Sequence, residues 1–71
     1  MNDLETLKAK MRREPFRSFI VELQSGATIL IDAETEMLFP YKRPELVIIF
    51  TGNGLQHEFE QGAILRLIEA T

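Results

Sequence analysis

The sequence predicts a mainly β domain in which one N-terminal α-helix is followed by five or six short antiparallel strands that form a small barrel. Apolar residues recur at helical spacing before Pro15 and at alternate positions after it. Turn residues then separate the alternating segments at intervals of about 8–12 residues, a spacing typical of small barrels and sandwiches. The 71 residues suffice for a single domain, with the helix at about residues 3–13 and the barrel at about 16–70.

The helix is predicted from its ends and from one apolar stripe. Leu4, Leu7 and Met11 recur at spacings of three and four residues, which places them on one side of a helix. Asn2 can cap the first turn, and Pro15 stops the helix because it lacks a backbone N–H and restricts the residue before it. A helix this short is not stable alone, so the stripe must pack against the rest of the domain.

Alternating residues predict the strands, and glycines predict the turns between them. A hairpin is predicted around Gly26, because glycine accepts the positive φ of a tight turn between two alternating segments. Asn53-Gly54 predicts a second hairpin with a type I′ turn. The predicted strand segments are residues 16–24, 27–32, 46–50, 55–60 and 64–70, with residues 36–39 left open between a short strand and one helical turn.

Composition narrows the classes of function. A net charge of −3 and a pI of about 5.0 are unlike those of a general nucleic-acid binder. The absence of cysteine excludes a disulfide framework and a thiolate metal site. The first residues lack the apolar segment of a signal peptide, and the longest apolar run, residues 46–50, is far shorter than a membrane span. We therefore expect a cytoplasmic protein with no membrane partner.

Domain size and the outer faces of the strands both predict self-association. A domain of this length buries only about 60% of the surface that its unfolded chain exposes, so its core is marginal. Apolar residues also occupy positions assigned to the outer faces, where a half-buried sheet is usually polar. We expect a homo-oligomer whose interface is this exposed apolar patch. The assigned interface residues are Ile20, Leu30, Val47 and Ile49, and Leu65 and Leu67 share the pattern.

Two basic segments are candidates for binding single-stranded RNA. Tyr41 offers a stacking face, and Lys42 and Arg43 beside it offer positive charge, a combination with which small barrels hold single strands. Bases near the end of the helix, among them Lys10 and Arg13, can add phosphate contacts. Each segment also has a structural explanation. The loop aromatics can pack at the end of the barrel, and the helix bases can compensate the helix dipole.

His57 is the only histidine and therefore the only side chain whose ordinary pKa suits a general base near neutral pH. Alternation places it with Leu55 and Phe59 on the core face, so we expect a structural histidine, with an enzyme that uses His57 as a distant alternative. Glu58 and Glu60 fall on the opposite face, which argues against a shared metal ion. The sequence also lacks a phosphate-binding glycine motif. We predict no catalytic residue, metal, cofactor or small-molecule substrate.

Three segments resemble small uncharacterised bacterial proteins that carry a "PFRPF"-like segment, a "DG"-type hairpin and an "SIE"-like final strand. The matching residues here are Pro15-Phe16-Arg17-Ser18-Phe19, Ser25-Gly26 and Leu67-Ile68-Glu69. This resemblance covers most of the chain after the helix. It predicts membership of this family but implies no particular activity.

The predicted architecture also resembles the Sm-like branch of the Src-homology-3-like barrels, in which an N-terminal helix precedes a strongly bent five-stranded sheet. That resemblance implies ring-forming homo-oligomers that often bind RNA. The family's RNA-binding motifs differ here, since "AETEM" after Asp32 lacks the expected asparagine and "EQGAILRL" places Gly62 and Arg66 where an Arg-Gly or Lys-His type signature is expected. We therefore predict a non-enzymatic, homo-oligomeric interaction module, with single-stranded RNA binding as the alternative.

Overall fold

The computed structural model describes residues 3–70, which form one α-helix, six strands and a short 3-10 helix. The helix α1 spans Asp3–Met11, and the 3-10 helix at Gln61–Ala63 joins the last two strands. The mainly β architecture with an N-terminal helix is therefore confirmed, and residues 36–38 form a strand rather than a helical turn. The strands are β1 (Phe19–Leu23), β2 (Thr28–Ile31), β3 (Glu36–Leu38), β4 (Leu46–Phe50), β5 (Gln56–Glu60) and β6 (Ile64–Glu69).

The strands form two three-stranded antiparallel sheets. The first sheet has the order β2-β1-β6, so the last strand returns to pair with the first. The second sheet has the order β3-β4-β5, in which neighbouring strands are also consecutive in the chain. A closed hydrogen-bonded ladder between the two sheets is not formed by the described residues, and β5 and β6 lie at sheet edges.

One hydrophobic core receives side chains from the helix and from both sheets. Leu7 of α1 is fully buried there, as are Phe19 of the first sheet and Ile49 of the second. Leu4 and Met11 pack partly against the same core, so the predicted apolar stripe is the side with which the helix docks. The other buried apolar residues are Val21, Ile29, Ile31, Val47, Phe59 and Ile64.

The helix ends at Met11, slightly before the predicted end at residue 13. Its last turn tightens, because the N–H of Arg13 donates at 3.4 Å to the carbonyl three residues earlier, at Lys10. The predicted cap, Asn2, lies outside the described residues. Within the part of the chain that the structure describes, no helix has the length and apolarity needed to cross a membrane.

Both tight hairpins have a three-residue loop that ends in a glycine at positive φ. In the first loop, the N–H of Gly26 donates to the carbonyl of Leu23, whose own N–H donates to the carbonyl of Ala27, both at 2.9 Å. Gly54 occupies the same place in the second loop, and φ is +96° at Gly26 and +89° at Gly54. A type I′ turn also needs positive φ at Asn53, which is not observed, so that prediction is wrong. The loops match a type I turn followed by a left-handed glycine.

A hydrogen-bonded turn at residues 32–35 carries the chain from the first sheet to the second. The Asp32 carboxylate accepts the N–H of Glu34 and the hydroxyl of Thr35, both at 3.0 Å. The Thr35 oxygen accepts the N–H of Asp32 at 3.0 Å, and Thr35 is buried. These bonds satisfy polar groups that would otherwise have no partner where the chain changes sheet.

Candidate interaction surfaces

Three apolar residues form a row across the outer face of the first sheet. Ile20 of β1 is the register partner of Leu30 on β2 and of Ile68 on β6, so the three side chains point to the same side. The alternate residues Phe19 and Val21 are buried, and the row therefore faces away from the core. Leu30 is 53% exposed and Ile68 40% exposed, with Ile20 half-buried between them. We call these three residues the apolar row.

A polar row lies beside the apolar row on the same face. Glu22 is in register with Thr28 on one side and with Arg66 on the other, and Nε of Arg66 donates to the Glu22 carboxylate at 2.6 Å. Beyond it, the pairing of β6 shifts between Glu22 and Leu23, and Leu65 at this bulge is exposed. An apolar centre with a polar, ion-paired border is the usual anatomy of a protein–protein contact.

Only two of the four predicted interface residues lie on an outer face. Ile20 and Leu30 belong to the apolar row, whereas Val47 and Ile49 are fully buried in the core, so their assignment to an outer face was wrong. Every residue of β4 is apolar, and alternation therefore cannot reveal which half points inward. The register with β5 decides it, because Val47 pairs with the buried Phe59. The outward residues of β4 are Leu46, Ile48 and Phe50.

The bulge in β6 explains why sequence reasoning missed Ile68 and chose Leu67. Ile64 is buried, and strict alternation from it would point Arg66 and Ile68 inward. The extra residue at Leu65 reverses the phase, so that Leu67 packs against the core and Ile68 is exposed. Arg66 at a nominally inward position is the signal in the sequence that alternation breaks there.

The two helix bases predicted to contact RNA are bound to the end of β6. Nζ of Lys10 and Nη1 of Arg13 donate to Oε1 of Glu69 at 3.2 and 2.9 Å. Lys10 also lies over the ring of Phe19, 5.5 Å from its centroid. The hydrogen bond from Lys10, together with that from Arg13, holds the pKa of Glu69 below its ordinary value despite partial desolvation. The single Glu69 carboxylate therefore balances one of the two positive charges of this pair.

The loop between β3 and β4 displays the other predicted RNA-binding residues. Tyr41 is 88% exposed, and Lys42 is exposed without an ion pair to any described residue. Nε of Arg43 donates to Glu45 at 2.6 Å, which raises the pKa of Arg43 and lowers that of Glu45. Phe39 packs against the core. The structural explanation of the loop aromatics thus applies to Phe39 but not to Tyr41.

A groove of about 370 Å³ separates the end of α1 from Phe39. Its lining residues are Lys8, Met11, Arg12 and Phe39, and we call it the Met11 groove. Nζ of Lys8 lies 5.1 Å from the centroid of the Phe39 ring. Arg12 is exposed, and its guanidinium makes no hydrogen bond or ion pair with a described residue. Lys8 and Arg12 are among the helix bases that the sequence offers for phosphate contact, whereas Met11 and Phe39 were not assigned to a site.

His57 lies half-buried in a second cleft of about 560 Å³, beside the β4–β5 hairpin. Phe59 is buried as predicted, but Leu55 is 56% exposed because it falls in the loop before β5, so its assignment to the core face was wrong. The polar groups near His57 form hydrogen bonds within their own turns. The Thr51 hydroxyl accepts the N–H of Leu55, and the Asp32 carboxylate accepts the N–H of Glu34 in the turn at residues 32–35. No cluster in the described chain could hold a metal ion.

Comparison of the chain with protein-family models, with curated proteins and with solved structures finds no match. The two resemblances noted in the sequence therefore stay predictions, one based on three short segments and the other on the order of the elements. Function has to be inferred from the surfaces described above, of which the apolar row and the Met11 groove are the most distinctive.

Proposed function

We propose that the chain is a small non-enzymatic interaction module that assembles with copies of itself through the apolar row. The observation that carries this proposal is that Leu30, Ile20 and Ile68 lie in register across three strands on the side away from the core, with Leu30 and Ile68 exposed and Ile20 half-buried. Placing the row of a second copy against this one removes apolar surface from water. A two-fold dimer achieves this with a single surface, because it sets the same patch of each subunit against the other.

The small size of the hydrophobic core is a second reason to propose self-association. The described residues contain nine buried apolar side chains, and the chain has no cysteine with which to form a disulfide. Small scaffolds without disulfides or metals commonly gain stability from oligomerisation. Apolar area buried on assembly contributes about 25 cal/mol per Å² before the cost of association is subtracted. Self-association would therefore increase the free energy of unfolding above the value that the monomer alone provides.

We infer further that the two sheets are the halves of one Sm-like barrel. Only residues 32–35 separate β2 from β3, and counting these two as one bent strand leaves a helix followed by five strands. The pairing of β6 with β1 supports the same arrangement, since it places the last strand next to the first. The fold resemblance would then favour a homo-oligomer independently of the apolar row.

Single-stranded RNA binding is the alternative function, and the loop between β3 and β4 is where it would occur. The exposed ring of Tyr41 and the unpaired charge of Lys42 favour it, because stacking and phosphate contacts together hold single strands. The carboxylates that bind Lys10, Arg13 and Arg43 weaken their contribution. Affinity for a ten-nucleotide oligo(U) should fall steeply with salt and disappear in Lys42→Glu with Arg43→Glu. Affinity that neither change reduces would exclude this alternative.

Size-exclusion chromatography with light scattering tests self-association. The unsubstituted protein should have the mass of a discrete oligomer, and Leu30→Ser combined with Ile68→Ser should shift it towards the monomer. Leu38→Ser is the matched control, because Leu38 is also 53% exposed but lies on β3 in the other sheet. Circular dichroism establishes that each variant is folded. A monomeric unsubstituted protein, or equal masses for the double variant and the control, would contradict the proposal.

A further inference from the structure

The Met11 groove has a fixed apolar floor. Met11 and Phe39 come from the helix and from the segment after β3, and both side chains also pack against the core. Their positions are therefore set by the fold and do not depend on a ligand. A preformed apolar floor lowers the ordering cost of binding, and about 370 Å³ is enough for one or two large side chains.

The rim of the groove carries two positive charges that the fold does not neutralise. Lys8 lies in the last turn of α1, and Arg12 follows the helix directly, with its N–H donating to the carbonyl of Lys8 at 3.2 Å. Neither side chain forms an ion pair with a described residue. The neighbouring bases differ, since Lys10 and Arg13 are both bound to Glu69. Charge at the helix end is thus divided between a pair that fastens α1 to β6 and a pair that is available to a ligand.

The position of Lys8 favours a protein carboxylate over a nucleic acid as the anionic ligand of the Met11 groove. Its ammonium group lies over one face of the Phe39 ring, 5.1 Å from the centroid, and the ring also packs against the core. Part of the Phe39 ring is therefore covered, which leaves less surface on which a nucleobase can stack. Stacking on aromatic rings is one of the two sources of single-strand affinity. An aliphatic or aromatic side chain can still contact Met11 and the ring edge while a carboxylate pairs with Arg12.

We propose that the Met11 groove binds a short segment of a partner protein in which a large apolar side chain lies next to an Asp or Glu. The apolar side chain fills the floor formed by Met11 and Phe39, and the carboxylate accepts hydrogen bonds from the Arg12 guanidinium, with Lys8 adding charge at the rim. This inference rests on the proposed function as an interaction module, but it uses residues outside the apolar row. Assembly would present several grooves at once and raise the avidity for a partner that carries repeated segments.

Selection of a random twelve-residue peptide library on the immobilised protein tests this proposal. Enriched peptides should contain an Asp or Glu next to a large apolar residue, and replacing that acid by its amide should weaken binding. Their affinity should fall about tenfold in Arg12→Glu, as expected for the loss of an ion pair at an apolar contact. Arg12→Gln removes the charge without reversing it and should give a smaller loss of affinity. It controls for misfolding caused by charge reversal in Arg12→Glu. Arg17→Glu is the control, because Arg17 is exposed and lies outside the groove.

Each other outcome overturns the peptide assignment. No enriched peptides, peptides without an acid, or equal affinity for Arg12→Glu and Arg17→Glu would exclude it. Binding of a twelve-nucleotide oligo(dT) that is lost in Arg12→Glu would make the groove a nucleic-acid site. A change of mass in light scattering with Arg12→Glu would assign it to a second copy of the chain. Failure of the proposed assembly through the apolar row appears separately in light scattering, as a monomeric mass for the unsubstituted protein or as an unchanged mass in Leu30→Ser with Ile68→Ser.

Discussion

Ile20 on β1 is the register partner of Ile68 on β6, and both side chains lie on the face of the sheet opposite the buried Phe19 and Val21. The pairing joins the first and last strands at the point where the outer face is apolar. Glu22 and its ion-paired neighbour border this point on one side, so the apolar surface is narrow. A contact centred on so few side chains should be sensitive to single polar substitutions.

Docking of the helix can be tested at Leu7. Leu7→Ala should lower the free energy of unfolding by about 2–5 kcal/mol, because Leu7 is fully buried and the change leaves a cavity. Leu7→Met keeps most of the volume and should cost less than about 1.5 kcal/mol. Urea denaturation followed by circular dichroism measures both. A loss below 1 kcal/mol for Leu7→Ala would mean that the helix contributes little to the core.

Gly26 in the first hairpin loop and Gly62 in the 3-10 helix offer a test of backbone conformation. Gly26 has φ of +96° and Gly62 does not have a positive φ, yet an added Cβ would meet open space at both positions. Gly26→Ala should therefore destabilise the protein by about 1–2 kcal/mol, the cost of a left-handed conformation with a side chain. Gly62→Ala should be neutral or slightly stabilising. Equal effects on the denaturation midpoint would show that the first loop has a different geometry.

The direction of the β4 side chains can be tested at Val47. Val47→Thr conserves shape and buries a hydroxyl in the core, so it should cost about 1–3 kcal/mol of unfolding free energy. Ile20→Thr on the outer face is the contrast and should alter the oligomer mass more than the stability. Thermal denaturation and light scattering separate the two effects. If Val47→Thr changed assembly without loss of stability, the residue would lie on a surface after all.

The ion pairs at the end of β6 predict a pH-dependent contribution to stability. The bond from Lys10 lowers the pKa of folded Glu69, so its stabilising effect is complete above the ordinary pKa and is lost as pH falls through the lower, folded value. Glu69→Gln should therefore lower the melting temperature slightly at pH 7 and converge with the unsubstituted protein at acid pH. Glu58→Gln, at an exposed carboxylate without an ion pair to a described residue, should have no such effect. A constant difference for Glu69→Gln across the pH range would refute this assignment.

Most elements of the fold could be predicted because each has a local signal. Pro15 stops the helix, and Gly26 and Gly54 mark the two tight hairpins. The phase of β4 could not be predicted, since all five of its residues are apolar and only the register with β5 distinguishes Val47 from Ile48. Tertiary pairing here decides what the local pattern leaves open.

The residues of the candidate surfaces could be predicted only where they lie on a strand with regular alternation. Ile20 and Leu30 follow simple alternation, whereas Ile68 follows a bulge that shifts the phase of β6. The Met11 groove needs contact between residues far apart in the sequence, and the pairing of the helix bases with Glu69 spans almost the whole chain. Such long-range contacts leave no periodic trace in the sequence, so they emerge only from the folded structure.

Assembly through the apolar row can be tested by cross-linking at a single introduced cysteine, because the chain has no cysteine of its own. Leu30→Cys and Leu38→Cys place a thiol at positions of equal exposure, 53%, on the first and second sheets. With a short bifunctional maleimide at low protein concentration, Leu30→Cys should give a covalent dimer and Leu38→Cys mainly monomer. Equal dimer yields from the two variants, or no dimer from Leu30→Cys, would contradict assembly through the apolar row.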